Sequence, residues 1–225
     1  MIHLRTGWGT AVKSHIPSAR PLWSLLEDAV VVSDPERGHL TVRGRWGDIE
    51  LHDGTPLVRE ALHRMTLGPV SLENIPALYE NYASWKSGGG GPCPVWHRLK
   101  KTLDKLGGCV IPSLGLDDGA GPILSVLAIA GDAVFTLPHI AHEQPIGILP
   151  DTSIERLNGD QAMVCPGLAY QVTLHRAPAA EIAKSLMHTE STIADIANNL
   201  QLSRLIVADV VAYLAGAGFI ALPAN

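Results

Sequence analysis

Between residues 168 and 223 the apolar positions repeat first with the period of a strand and then with the period of three helices. Leu168, Tyr170, Val172 and Leu174 fall at every second position, which predicts a half-buried strand. Pro178 opens a helix in which Ile182, Ala183, Leu186 and Met187 share one face. Thr192, with Asp195 three residues on, predicts a capped second helix striped by Ile193, Ile196 and Leu200. Ser203 begins a third, whose Ile206, Val207, Val210, Val211 and Leu214 face a core. Gly216 and Gly218 stop it, and Phe219-Ile220 continue as a short strand. Strand, three helices and strand in this order read as a winged-helix unit.

The pattern occurs once before. Leu51-His52 followed by Pro56 reappears as Leu174-His175 followed by Pro178, with one residue fewer in the turn. The earlier copy has a strand at 46–52 and a helix carrying Leu57, Val58, Ala61, Leu62 and Met65. A second helix carries Leu72, Ile75, Leu78 and Tyr79, and a third Val95, Trp96, Leu99, Leu103 and Leu106. Gly107-Gly108 and the strand Cys109-Val110-Ile111 follow. Strands at 29–33 and 40–43, joined by a turn at 34–38, precede the copy. Two copies are too few for a solenoid. The predicted fold class is therefore α+β: two tandem winged-helix modules, each a small antiparallel sheet plus three helices.

The expected organisation is an N-terminal segment (1–28, with a short helical turn at 21–28), a first module (29–116), connecting strands (117–150) and a second module (151–225). The connection holds strands at 123–130 and 133–137, separated by Gly131-Asp132. In the second module 151–160 leads into a strand at 162–165 and a hairpin turn at Pro166-Gly167. SGGGGPCP at 87–94 is a flexible insert, and 115–121 is a second break. The module boundary is placed at 116–122.

Composition narrows the function classes. With 46% hydrophobic residues among 225, both modules can bury cores. A net charge of −5 with 17% charged residues argues against a nucleic-acid surface. Three cysteines (93, 109 and 165) without CxxC spacing favour a reducing, cytoplasmic setting. No apolar signal-peptide core and no apolar run long enough for a membrane span occur.

The search for reaction chemistry leaves no catalytic residue assigned. GGGG at 88–91 runs into Pro-Cys-Pro, which cannot open a phosphate-cradling helix. His139, His142 and Glu143 have metal-donor chemistry but sit between Pro138 and Pro145, and read as a polar loop. His52 and His175 stand at matching strand-to-helix joints, which points to turn hydrogen bonding or packing. Cys93 has no histidine placed to activate it. No metal and no cofactor is expected on this chain.

Binding remains. The helix from Ser203 carries only Arg204 and Asp209 as ionic groups, too few for phosphate contacts. Arg98, Lys100, Lys101 and Lys105 make one face of the first module's third helix basic, the better of two poor candidates for DNA. The stronger expectation is a peptide groove. If the strand at 46–52 is a sheet edge, its unpaired N–H and C=O groups accept an extended peptide. Trp46, Asp48, Ile49, Glu50 and Leu51 then form the strand side of the site, and Val95, Trp96, Arg98, Leu99, Lys101 and Leu103 the helix side. Ala208, Ala212 and Ala215 make a smooth outer face on the last helix, expected to be covered by a partner or a second copy.

These patterns resemble a known family. Arg156-Leu157, Leu174-His175, Ala179-Ala180 and Ala217-Gly218-Phe219-Ile220 are similar to the N-terminal region of the SagB-type, cyanobactin-oxidase-like azoline dehydrogenases. Residues 30–111 resemble the preceding winged-helix module of those enzymes, and through it the leader-peptide recognition elements of ribosomal peptide pathways. In that family an FMN-binding nitroreductase domain follows and oxidises azolines to thiazoles or oxazoles. This sequence stops at Asn225, so the resemblance implies a leader-binding subunit whose FMN resides in a partner dehydrogenase. A winged-helix transcription regulator and a structural subunit of an oxidase complex are the alternatives.

Overall fold

Alternating segments become strands and 3.6-periodic ones helices, but one sheet runs through both halves of the chain. The computed structural model describes residues 19–34, 39–79, 94–157 and 159–221. The chain is α+β, with antiparallel sheets throughout. Strand β1 (Ala19–Leu25) is followed by β2 (Val30–Asp34), β3 (His39–Gly44), β4 (Gly47–Leu51) and helix α1 (Pro56–Met65). A 3-10 turn (Leu72–Asn74) and a helical start at 76–79 lead toward α2 (Pro94–Lys105). Next come β5 (Val110–Leu116), β6 (Pro122–Ala128), β7 (Gly147–Ile148), β8 (Ser153–Leu157), β9 (Asp160–Val164) and β10 (Tyr170–Leu174). Helices α3 (Ala179–His188), α4 (Ile193–Leu200) and α5 (Arg204–Gly216) and strand β11 (Ile220–Ala221) close the chain.

The large sheet has the order β1-β5-β6-β10-β9-β8; β2-β3-β4 form a separate small sheet, and β11 pairs with β7. Two groups of buried side chains flank this framework. One joins β1, the small sheet, α1 and α2 through Val42, Val58, Leu62, Leu99 and Leu106. The other joins β6, β9, β10 and α3 to α5 through Leu124, Met163, Val172, Ile182, Ile196, Val211 and Phe219. The expected stripes of α1 and α5 supply the two cores: Val58, Ala61, Leu62 and Met65 are buried on α1, and Ile206, Val207, Val210, Val211 and Leu214 on α5. The expected stripe of the second helix differs: Leu72 lies in the 3-10 turn, Leu72, Ile75 and Leu78 are buried, and Tyr79 is exposed. Thr192 caps α4 in both directions, its hydroxyl accepting from the Asp195 amide while the Asp195 carboxylate accepts from the Thr192 amide.

Several expectations are corrected. Residues 21–25 belong to a strand, not a helical turn: β1 pairs with β5 from Ala19↔Leu116 to Leu25↔Val110. On its other side Trp23 exchanges backbone hydrogen bonds with Val70 at 2.9 and 3.0 Å, so long-range pairing decides the conformation where local propensity is weak. Residues 133–137 form no strand. Ala133 is buried and Phe135 packs its ring 5.4 Å from Tyr213, so side-chain burial holds this segment without a ladder. Residues 153–157, read as a lead-in, are strand β8. The boundary at 116–122 is a tight β5–β6 hairpin: Gly119 and Gly121 take positive φ, and Arg176 clamps Asp118 by two bonds of 2.8 and 3.0 Å. The turn at 35–38, residues 87–93 of the glycine-rich insert with Cys93, and residues 1–18 lie outside the described residues.

Candidate functional site

Strand β4 is the terminal strand of its sheet, and among the described residues nothing pairs with its outer side. On its inner side Val42 faces Ile49 and Leu40 faces Leu51. Opposed residues of an antiparallel pair point to the same face, so Ile49 and Leu51 look toward the helices while Asp48 and Glu50 look away. Helix α2 lies against β4. An edge strand with a helix alongside is the geometry that accepts a peptide as an added strand.

The predicted residues divide by burial. Leu51 (1% exposed), Leu99 (0%) and Leu103 (3%) are core side chains; they fix α2 against the strand and offer no surface. Ile49, Val95 and Trp96 are half-buried at the rim of the same core, and Trp96 stands 6.0 Å from the Trp23 ring. Arg98, Lys101 and Glu50 are exposed, while Asp48 pairs with Arg43 at 3.0 Å. Trp46 is turned elsewhere. A Cβ on Gly108 would stand 3.0 Å from its indole nitrogen, and one on Gly131 3.1 Å from its ring. The indole is thus seated between two glycine backbones, its N–H buried without an acceptor among the described residues. Read as helix-stopping and turn residues, those glycines gave no signal that they seat a tryptophan.

The corresponding strand of the second half differs in kind. Strand β10 lies between β6 and β9, so both of its edges are used. His52 and His175 each follow the last residue of their strands, but their surroundings diverge. His52 meets His39 edge-on at 5.0 Å. His175 joins a polar row across the sheet: its Nε2 is 2.9 Å from Ser125 Oγ, which is 2.8 Å from Ser113 Oγ. Asp160 Oδ2 lies 3.9 Å from His175 Nδ1. Burial lowers the His175 pKa, with Asp160 acting against it, so the ring is neutral near pH 7. Ser125, His175 and Asp160 line a cleft of about 480 Å³ between the two cores. A neutral imidazole beside a hydroxyl is a nucleophile–base pair in distance. Ser125, however, sits mid-strand between β5 and β10, paired with Ser113 and Thr173. The backbone amides that would have to stabilise an oxyanion there are engaged in the sheet. The row is a cross-sheet polar seam.

On α5, Ala208 and Ala215 pack partly on the second core and Ala212 is half-buried. The C-terminal end of the helix is covered from within: a Cβ on Gly216 would stand 2.5 Å from the Thr136 carbonyl oxygen and 2.9 Å from the Phe135 ring. Asp209 is an exposed residue, and desolvation by its neighbours raises its pKa to about 6. Burial also raises the Tyr213 phenol, with Asp209 adding to it, and that phenol donates to the Ser113 carbonyl at 3.0 Å. Glu143 turns toward Arg204 at 3.7 Å. Among the described residues no three His, Cys, Asp or Glu side chains gather around a metal-sized site, and no helix is long and apolar enough to cross a membrane. Compared with known proteins, the chain matches no family model and no curated protein.

Proposed function

We propose that this chain is a non-catalytic peptide-binding subunit. An extended precursor (leader) peptide adds to the outer side of β4 as a fourth strand, and the chain presents it to a separate flavin-dependent dehydrogenase that forms thiazoles or oxazoles. The observation that carries the reading is the terminal position of β4 with α2 beside it. Main-chain hydrogen bonds fix the peptide's register. Ile49, Val95 and Trp96 supply apolar contact at the rim, and Arg98 and Lys101 meet peptide carboxylates. Leu51, Leu99 and Leu103 support strand and helix from behind. In this reading both halves are winged-helix modules, the protein works in the cytoplasm, and FMN belongs to the partner. The resemblance of Arg156-Leu157, Leu174-His175 and Ala217-Gly218-Phe219-Ile220 to azoline dehydrogenases supports the partner's chemistry.

The test is affinity capture from the native host with the wild-type chain and a Glu50→Pro variant. The ladder pairs Gly44 with Gly47 across a two-residue turn and Val42 with Ile49, so the Ile49 N–H points inward to β3 while that of Glu50 points to the open edge. Proline at position 50 removes an outward donor and leaves the bonds to β3 in place. The expected result is a nitroreductase-like flavoprotein together with a short precursor peptide on the wild type, and loss of the peptide on Glu50→Pro. Recovery of DNA instead supports a winged-helix regulator. Peptide retained by a folded Glu50→Pro chain rules out β4.

A further inference from the structure

The large sheet has an exposed edge of its own, strand β8, and a groove of about 440 Å³ runs between it and α3. The ladder settles which side chains look into it. Ile154 faces Met163, and Arg156 faces Gln161. Met163 and Gln161 in turn face Val172 and Leu174 of β10, which belong to the core beneath α3. Ile154 and Arg156 therefore point to the helix side of the sheet, where Lys184, Met187 and His188 of α3 complete the groove. Ile154 and Met187 form an apolar floor. Arg156, Lys184 and His188 are exposed, and no carboxylate among the described residues pairs with them. Glu155 also borders the groove, but strand alternation turns its side chain to the opposite face, where it accepts from Ser153 at 3.0 Å. The Oε1 atom of Gln161, also lining the groove, is buried without a donor.

We propose that β8 and α3 form a second docking groove, which takes an extended peptide segment bearing carboxylates. The segment pairs with the free edge of β8, and its side chains on the helix side alternate into the groove. A charge pointing inward from an edge strand normally blocks pairing with an apolar strand. Arg156 does so here, and it selects for a strand that brings its own carboxylate. A main-chain or side-chain N–H of the segment supplies the donor that Gln161 lacks.

A second copy of this chain fits less well. Two-fold antiparallel pairing of β8 with itself centres on one residue of the strand, such as Ile154, Glu155 or Arg156. Each of these registers keeps the two Arg156–Lys184 pairs on the same face of the joined sheet, and like charges brought together across an interface weaken it. The inference does not rest on the β4 reading, because the two edges belong to different sheets.

The experiment uses the full chain and a fluorescein-labelled decapeptide of alternating Glu and Thr, with a Lys-for-Glu counterpart as control. Anisotropy at low salt should give saturable binding of the Glu peptide alone. Affinity should fall at least tenfold in an Arg156→Glu, Lys184→Glu double variant, and fall with added salt. It should be unchanged in Glu50→Pro, which separates this site from β4. Hydrogen exchange should slow at 153–157 when peptide is present. No saturable binding, equal affinity in the double variant, or protection at 47–51 instead would each overturn the proposal. So would a dimer in light scattering that the double variant abolishes, because the edge then belongs to a second copy.

Discussion

Ser125 on β6 and His175 after β10 stand fifty residues apart in sequence and 2.9 Å apart in space, joined through Oγ and Nε2. That bond and the Ser113 hydroxyl behind it tie β5, β6 and β10 together on the face away from α3 to α5, with the Asp160 carboxylate of β9 standing 3.9 Å beyond the ring.

The pH dependence of stability follows from the direction of the His175 shift. Burial places its folded pKa below the ordinary histidine value, so as pH falls the unfolded chain takes up this proton first. The contribution is present above about pH 6.5, the unfolded histidine value, and is lost as pH falls toward the folded pKa. Urea midpoints should therefore drop between pH 7.5 and pH 5.5, and the drop should shrink in His175→Gln. An equal drop in the variant would assign the effect to other groups.

Asp209 runs the other way. Its folded pKa of about 6 lies above the ordinary carboxylate value, so the fold holds this proton more tightly than the unfolded chain does. The protonated form is favoured at low pH, and stability is lost as pH rises through about 6. Asp209→Asn keeps the shape and removes the charge. Because the carboxylate is exposed and screened by solvent, the effect is small: the variant should melt slightly above wild type at pH 7.5 and level with it near pH 4, measured by thermal unfolding at both values.

Gly216 reverses an ordinary helix rule. Replacing glycine by alanine inside a helix normally stabilises it by roughly 1 kcal/mol. Here the new methyl would lie 2.5 Å from the Thr136 carbonyl oxygen, a backbone atom that moves only with its segment. Overpacking of this kind costs about 1–3 kcal/mol, so Gly216→Ala should be destabilising in urea titration. A stabilised variant would mean that 133–137 is not held against α5.

The candidate groove was legible in part. The match to the later Leu-His and proline-led helix identified the β4 strand, and helical spacing identified α2, but that spacing could not separate rim from core. Leu99 and Leu103 lie on the stripe that β4 and α1 bury, and Val95 and Trp96 on its margin. The edge itself was a supposition until the strand order was known. The groove at β8 was invisible, because 153–157 has neither strict alternation nor a strong apolar stripe, and its cations come from two elements separated by β9 and β10.

What the sequence determined by itself is therefore local: the helical stripes, the Thr192–Asp195 cap, the glycine stops, and the repeat of Leu-His before a proline-led helix. These depend on interactions within about one helical turn or between adjacent strand positions, and the residues that make them are neighbours in the chain. Only the tertiary structure decided strand partners. It turned 19–25 into the partner of β5, made the supposed module boundary a hairpin in a shared sheet, enclosed β10 and left β4 and β8 open. It also seated Trp46 on Gly108 and Gly131 rather than in the groove. Backbone groups pair with whatever strand the folded chain brings within reach, and that choice is set by which apolar faces can be buried together across long loops. No single segment carries that information, because the energy that selects one pairing over another is distributed over both cores at once.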